Sequence, residues 1–134
     1  MNNVKKLESR SAKIDEFRGT YGGKLDSIGA NIRQHILSLN IEQLVYEISS
    51  ARNITAEQVV LVYCEQARLA HEQTNCLTEI LFKEALMRAK HLDEHLTRTD
   101  NALGAFHGVP FSIKDTFDLA GSGNTNCSII IAIA

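Results

Sequence analysis

The chain has 134 residues, of which 44% are hydrophobic and 22% charged, and its formal net charge is -2. This composition is typical of one globular domain rather than of a disordered chain, and it offers no basic excess for nucleic acid or an anionic membrane. The N-terminal Met-Asn-Asn-Val-Lys-Lys lacks the apolar stretch of a secretory signal. We therefore expect a cytoplasmic protein that binds neither nucleic acid nor a membrane.

The three cysteines are an odd number at wide spacing: Cys64, Cys76 and Cys127. Without a CxxC pair they disfavour both a disulfide framework and a zinc site. Since a free cysteine packs as a small hydrophobe, we expect buried, inert thiols.

The first 38 residues mix charges of both signs with the glycine-rich run Thr-Tyr-Gly-Gly-Lys-Leu-Asp-Ser-Ile-Gly. No sustained hydrophobic period runs through them, which predicts a flexible or loosely attached arm over residues 1–38. After this arm the hydrophobic period becomes regular. Asn40 and Gln43 are placed as an N-cap and its partner for a short amphipathic helix, and the apolar residues that follow keep helical spacing: Ile41, Leu44, Val45 and Ile48.

A second helix is predicted from the capping pair Thr55 and Gln58 to about residue 73. Its apolar stripe is Val59, Val62, Tyr63, Ala67 and Ala70. Residues 76–81 are apolar and tolerate a strand, although a threonine and a glutamate leave that assignment open. A third helix is predicted to about Thr97 from the stripe Phe82, Ala85, Leu86, Ala89, Leu92 and Leu96, and residues 100–108 with two glycines predict a loop.

The run Gly-Val-Pro-Phe-Ser-Ile-Lys-Asp at residues 108–115 predicts a strand with alternating faces. Val109, Phe111 and Ile113 point to one side, whereas Ser112 and Lys114 share the other. One interpretation of Lys114 is a lysine at a strand end, with its stem along the sheet and its ammonium in water. The other is a desolvated lysine, whose lowered pKa would allow the neutral amine to act as a base and activate a serine hydroxyl.

Residues 108–121, and the Gly-Val-Pro to Lys-Asp run above all, resemble the lysine segment of the amidase signature family, especially its fungal general amidases and acetamidases. Upstream runs are similar to the N-terminal helices of that family in the same order: Ile-Thr-Ala-Glu-Gln-Val-Val (54–60), Tyr-Cys-Glu-Gln-Ala (63–67) and Thr-Asn-Cys-Leu-Thr-Glu (74–79). The resemblance covers residues 39–121, which we expect to form an amidase-like N-terminal portion.

This resemblance implies an α/β fold in which helices flank a mixed sheet, largely helical in this portion. It also implies that Lys114 is the catalytic base, that two serines complete the triad (one of them in a cis peptide), and that small-molecule amides are hydrolysed without a cofactor or metal. No Gly-Ser-Ser-Gly run occurs in the 134 residues. The sequence thus predicts a truncated amidase-signature chain that is inactive by itself, or alternatively an inactive fragment that acts as a binding or regulatory protein.

Residues 122–134 depart from the family pattern and form a divergent hydrophobic tail ending in Ser-Ile-Ile-Ile-Ala-Ile-Ala. This tail has no charge, no proline and strong β-propensity, so together with an exposed sheet edge it predicts self-association.

Four other candidates are weaker. Ser112 shares the lysine's face but is not at a family nucleophile position, and a polar strand filler is the simpler interpretation. His91 and His95 lie one helical turn apart, but Leu92 stands where a metalloprotease helix has glutamate, which favours surface histidines. The Gly-Ser-Gly-Asn run at 121–124 lacks the Gly-Lys ending of a phosphate loop. His107, next to the lysine segment, could orient a ligand, but the simpler interpretation is a loop histidine without a specific role.

Overall fold

The computed structural model describes residues 3–113 and 129–133. Five helices and two strands follow one another along the chain: α1 (Asn3–Ser27), α2 (Ala30–Ser38), α3 (Ile41–Ser49), α4 (Ala56–Thr74), α5 (Phe82–Thr99), β1 (Val109–Ile113) and β2 (Ile129–Ile133). The chain is thus largely helical, as predicted for this portion. None of the helices within residues 3–113 is both long enough and apolar enough to cross a membrane.

The N-terminal region differs from the loosely attached arm predicted over residues 1–38. It forms α1 and α2, and the structure packs both against α4. Phe17, Leu25, Ile28 and Ile36 are buried in the main hydrophobic core, and the Phe17 ring meets the Phe82 ring of α5 edge-on at 5.2 Å between centroids. These apolar residues are widely spaced among charged ones, so the helical period is weak locally and becomes visible only through packing.

Both predicted capping boxes are confirmed. At the start of α3, Gln43 N–H donates to Asn40 Oδ1 at 2.8 Å, and the Asn40 N–H donates back to Gln43 Oε1 at 2.9 Å. At the start of α4, Gln58 N–H donates to Thr55 Oγ1 at 3.1 Å, and Thr55 N–H to Gln58 Oε1 at 2.9 Å. Each box satisfies one N–H of the first helical turn, which has no partner within the helix, and the N–H of its own N-cap residue.

The stripe predicted for α4 is too narrow. Val59 and Val62 are buried as expected, but Val60, Leu61, Cys64 and Arg68 are buried as well, while Ala70 is exposed. The reason is that α4 is the central helix, with α1, α2, α5 and β1 all packed around it. A helix enclosed on several sides buries more than the one stripe that an amphipathic pattern reveals.

The predicted helix α5 is confirmed, with every residue of its predicted stripe buried. It ends at Thr99, and the capping residue Asp100 has the left-handed conformation common at a helix C-terminus, with a φ of 62°. The segment before α5 is not a strand: between α4 and α5 only Leu77 forms an isolated bridge, while Leu77 and Ile80 are buried against the helices.

β1 begins at Val109, as predicted, and pairs antiparallel with β2. The register runs from Val109 opposite Ile133 to Ile113 opposite Ile129, and β2 lies alongside α5. The β-prone tail therefore forms a strand at residues 129–133. Within residues 3–113 and 129–133 this pair is the whole of the sheet, and the mixed sheet implied by the resemblance remains an expectation.

Truncating Ile36 tests whether the N-terminal region belongs to the core. Ile36 is fully buried on α2, so Ile36→Ala should lower the free energy of unfolding by about 2–5 kcal/mol through lost burial and a residual cavity. Ile32, on the same helix but 42% exposed, supplies the matched control, and Ile32→Ala should change stability by less than about 1 kcal/mol. Urea unfolding of both variants measures the difference, and equal small effects would mean that residues 1–38 are only loosely attached.

Candidate functional site

The candidate site is built around the turn that leads into β1. Lys114, the predicted base, comes directly after Ile113, the last residue of β1, and lies outside the described residues. What the structure does show is how the preceding segment is fixed. Residues 103–109 form a tight turn in which His107 N–H donates to the Gly104 carbonyl at 3.2 Å and Val109 N–H to the Phe106 carbonyl at 3.0 Å.

The N-terminus of α4 lies next to this turn, and the helix end is fully capped. The Asp93 carboxylate reaches over from α5 and accepts from the N–H groups of Ala56 at 2.8 Å and Glu57 at 2.9 Å. Thr55 accepts from Gln58, the third N–H of the helix. Burial raises the pKa of Asp93, while the two N–H donors act in the opposite direction by favouring the carboxylate. One side chain thereby joins α5 to the start of α4.

Gly108 fixes the turn to the same helix end. Its φ is +78°, in the region where side chains other than glycine are strained. A methyl group placed on it would lie 2.8 Å from Ala56 Cβ and 3.1 Å from Ile48 Cδ1. Glycine is therefore required at this position for two reasons, which are the backbone conformation and the close approach to α4.

His107 is the residue that the sequence analysis undervalued. It is fully buried, and its Nδ1 accepts from the Leu103 N–H at 3.1 Å. Nε2 is buried and makes no hydrogen bond of normal geometry, although the Leu92 carbonyl acts on the ring from α5. Burial lowers the pKa of His107, and the nearby His95 and Arg88 lower it further. A loop histidine between two glycines gave no sequence signal for such burial.

An apolar groove of about 880 Å³ opens on the other side of the turn. It lies between α3, α4 and the start of β1, and its polar groups are few. Its lining includes Leu39, Ile41, Leu44, Tyr63, Phe106 and Phe111. Phe106 and Ile41 are more than half exposed at its rim, so the face next to the lysine segment is hydrophobic.

The remaining candidates lie apart from this turn. Ser112 is exposed on β1, which agrees with a polar position on the outer face. His91 is exposed on α5 next to Arg88 and His95 is half-buried, and within the described residues no three metal-binding side chains come together.

Cys64 is buried, and burial raises the pKa of its thiol, whereas Cys76 is exposed, so the expectation of buried thiols is wrong there. Cys127 and the run at 121–124 lie outside the described residues.

Comparison with known proteins identifies the family of this chain. The family model described as Amidase matches residues 58–133, which include most of α4, all of α5, β1 and β2, and the lysine segment. The chain belongs to the Amidase family. It is 38% identical over 118 residues to Amidase 1 of Gibberella moniliformis, which covers 88% of this chain and 22% of that protein.

Two further relatives show the same pattern. A putative amidase of Schizosaccharomyces pombe is 38% identical over 69 residues, or 52% of this chain and 13% of the relative. The acetamidase of Emericella nidulans is 35% identical over 72 residues, or 54% of this chain and 13% of the relative. The chain thus spans less than a quarter of the length of these curated relatives. No solved structure gives a significant match.

Substituting Gly108 tests the close approach of the turn to α4. Gly108→Ala should lower the free energy of unfolding by at least about 2 kcal/mol, because the left-handed conformation penalises a Cβ atom and the methyl meets Ala56. Gly23 supplies a control of opposite sign. It is exposed within α1 with no atom within 4 Å of an added methyl, so Gly23→Ala should stabilise by about 0.5–1 kcal/mol. Thermal and urea unfolding give both values, and a neutral Gly108→Ala would contradict the described turn.

Proposed function

We propose that this protein carries the lysine of an amide-hydrolysing site and that Lys114 is its general base. The observation that supports this most is the position of the Gly-Val-Pro to Lys-Asp run inside the segment that matches the Amidase family. The described structure adds a physical reason why this run would have a defined position. The turn before β1 is fixed by Gly108, by His107 and by the capped end of α4. The proposed fold is the helix-flanked mixed sheet of the family, with β1 as one of its strands.

In the proposed reaction, neutral Lys114 takes a proton through one serine from a second serine. The second serine attacks the amide carbonyl, the C–N bond breaks as the amine leaves with a proton, and a seryl ester remains. Water then cleaves the ester, which releases the carboxylic acid and restores the serine. A lysine fits this role only if its pKa is lowered enough for the neutral amine to exist near neutral pH. The 134 residues contain no Gly-Ser-Ser-Gly run, so the two serines of this proposal are not supplied by them.

The proposed substrates are small carboxylic amides. Acetamide is the first to test, since two of the matching relatives, from Emericella nidulans and Aspergillus oryzae, are named acetamidases. No cofactor enters the proposed reaction, because lysine and serine supply the proton transfer and the nucleophile. The proposed compartment is the cytoplasm, and the odd number of widely spaced cysteines supports it.

A graft tests the role of Lys114. Residues 39–121 of this chain replace the corresponding segment of the acetamidase of Emericella nidulans, and ammonia release from acetamide is measured. Lys114→Ala in the active graft should lower kcat by about a thousandfold or more, as for other catalytic units that lose one member. Lys114→Arg should fail equally, because a guanidinium does not give up its proton in proteins.

Ser112→Ala in the same graft is the matched control and should leave kcat unchanged within about twofold, since the serine lies on the exposed face of β1. The 134-residue protein alone should release no ammonia. An active graft that keeps its rate after Lys114→Ala would overturn the proposed role.

We also propose that the chain self-associates through the edges of the β1–β2 pair. Within residues 3–113 and 129–133 no third strand covers either edge, and unpaired edges are templates for further strands. Light scattering of the 134-residue protein should give a mass above the monomer that rises with concentration. Ile131→Lys, in the strand that pairs with Phe111, should reduce the mass, because a charged residue on an edge opposes pairing. A monomer at every concentration would contradict this proposal.

A further inference from the structure

His107 occupies an unusual place for a histidine in a turn between two glycines. Its ring is fully buried between the turn and α5, where it faces Arg88, His95 and the Leu92 carbonyl. On the turn side it accepts the Leu103 N–H through Nδ1. The ring therefore bridges the first residue of the turn and the helix beneath it, one residue before Gly108 enters its contact with Ala56.

The hydrogen bond from Leu103 fixes the protonation state of the ring. Because Nδ1 accepts, the proton of the neutral imidazole must be on Nε2. A second proton could be added only at Nδ1, where it would face the Leu103 N–H and replace an acceptor with a donor. It would also create a buried cation beside Arg88 and His95. The observed turn thus requires the neutral ring, which accepts from Leu103 and directly precedes Gly108 in the chain.

We propose that His107 is a positioning residue: its neutral imidazole holds the start of β1 on α4 and α5 and thereby sets the place of Lys114, which follows β1 directly. The link to Lys114 rests on the proposed function, whereas the hold on β1 does not. Acting through the strand, His107 needs no contact with substrate. Its requirement for a neutral ring makes the order of β1 sensitive to pH below the titration range of an ordinary histidine.

Amide hydrogen exchange of the 134-residue protein tests the hold on β1, with protection factors corrected for the intrinsic rate at each pH. At about pH 7.5, His107→Leu, which keeps the apolar volume but removes the acceptor, should lower protection of residues 109–113 by about tenfold. Protection of residues 59–62 in the centre of α4 should change much less. His107→Asn offers an acceptor oxygen in a side chain that does not titrate, and it should restore protection of β1 towards that of the wild type.

The pH dependence separates this role from simple packing. Burial lowers the pKa of His107 below the usual 6.5. The ring is therefore neutral at about pH 7.5 and becomes protonated only as the pH falls below the pKa of an ordinary histidine. In the wild type, protection of 109–113 should be lost progressively as the pH falls from about 7.5 to about 5. His107→Asn should show no such fall. His91→Asn, which alters an exposed histidine on α5, should behave as the wild type.

Unchanged protection of β1 in His107→Leu, or the same fall with pH in wild type and His107→Asn, would overturn the proposal. The graft distinguishes it from the proposed function. If Lys114→Ala leaves the graft active, the role of the lysine fails, and exchange still decides whether His107 holds β1. If Lys114 is required but His107→Leu leaves kcat of the graft unchanged, the positioning of the lysine by His107 is wrong.

Discussion

The start of helix α4 is the constraint on which the rest of the described structure depends. Three successive N–H groups at this end would lack partners within the helix. Asp93 takes two of them and Thr55 takes the third. Since Asp93 belongs to α5, the helix end is complete only when the two helices are docked. The same end then lies so near Gly108 that an added methyl there would be 2.8 Å from Ala56 Cβ. Capping, helix packing and the entry to β1 are therefore one arrangement rather than three.

This arrangement explains why a mostly helical chain can present a strand with precision. A two-stranded antiparallel pair is marginal by itself in water. Here β1 is held by α4 and α3, β2 lies beside α5, and the turn between α5 and β1 is closed internally by Leu103 and His107. The strand is thus ordered both by the helices that precede it in the chain and by its pairing with β2. For a family whose chemistry is proposed to depend on a lysine directly after this strand, that order is functionally relevant.

The sequence predicted those features that depend on neighbours a few residues apart. Asn40 with Gln43 and Thr55 with Gln58 are capping pairs three residues apart, and the stripe of α5 repeats at helical spacing, so all were readable locally. The Gly-Val-Pro to Lys-Asp run pointed to the family because it is a contiguous motif. The features that were missed depend on distant partners. Asp93 caps a helix that begins 37 residues earlier, and the sparse apolar residues of α1 gain meaning only against α4 and α5. His107 showed no sign of burial because the groups near its ring include Leu92, His95 and Arg88 of α5, which the loop sequence does not reveal.

The contact between Ala56 and Gly108 has a consequence for how such a chain can change over time. A methyl on Gly108 has no room because it would lie 2.8 Å from Ala56 Cβ. Ala56 is itself fully buried, so a larger group there would need its neighbours to move. The two positions form a single steric unit although they are far apart in sequence. Among homologous chains, drift at either position should therefore be strongly restricted, and an enlargement at Ala56 should survive only with a displaced turn. Such a displacement would also move β1. Selection that keeps β1 in place would therefore also keep a small residue at position 56, at the start of α4.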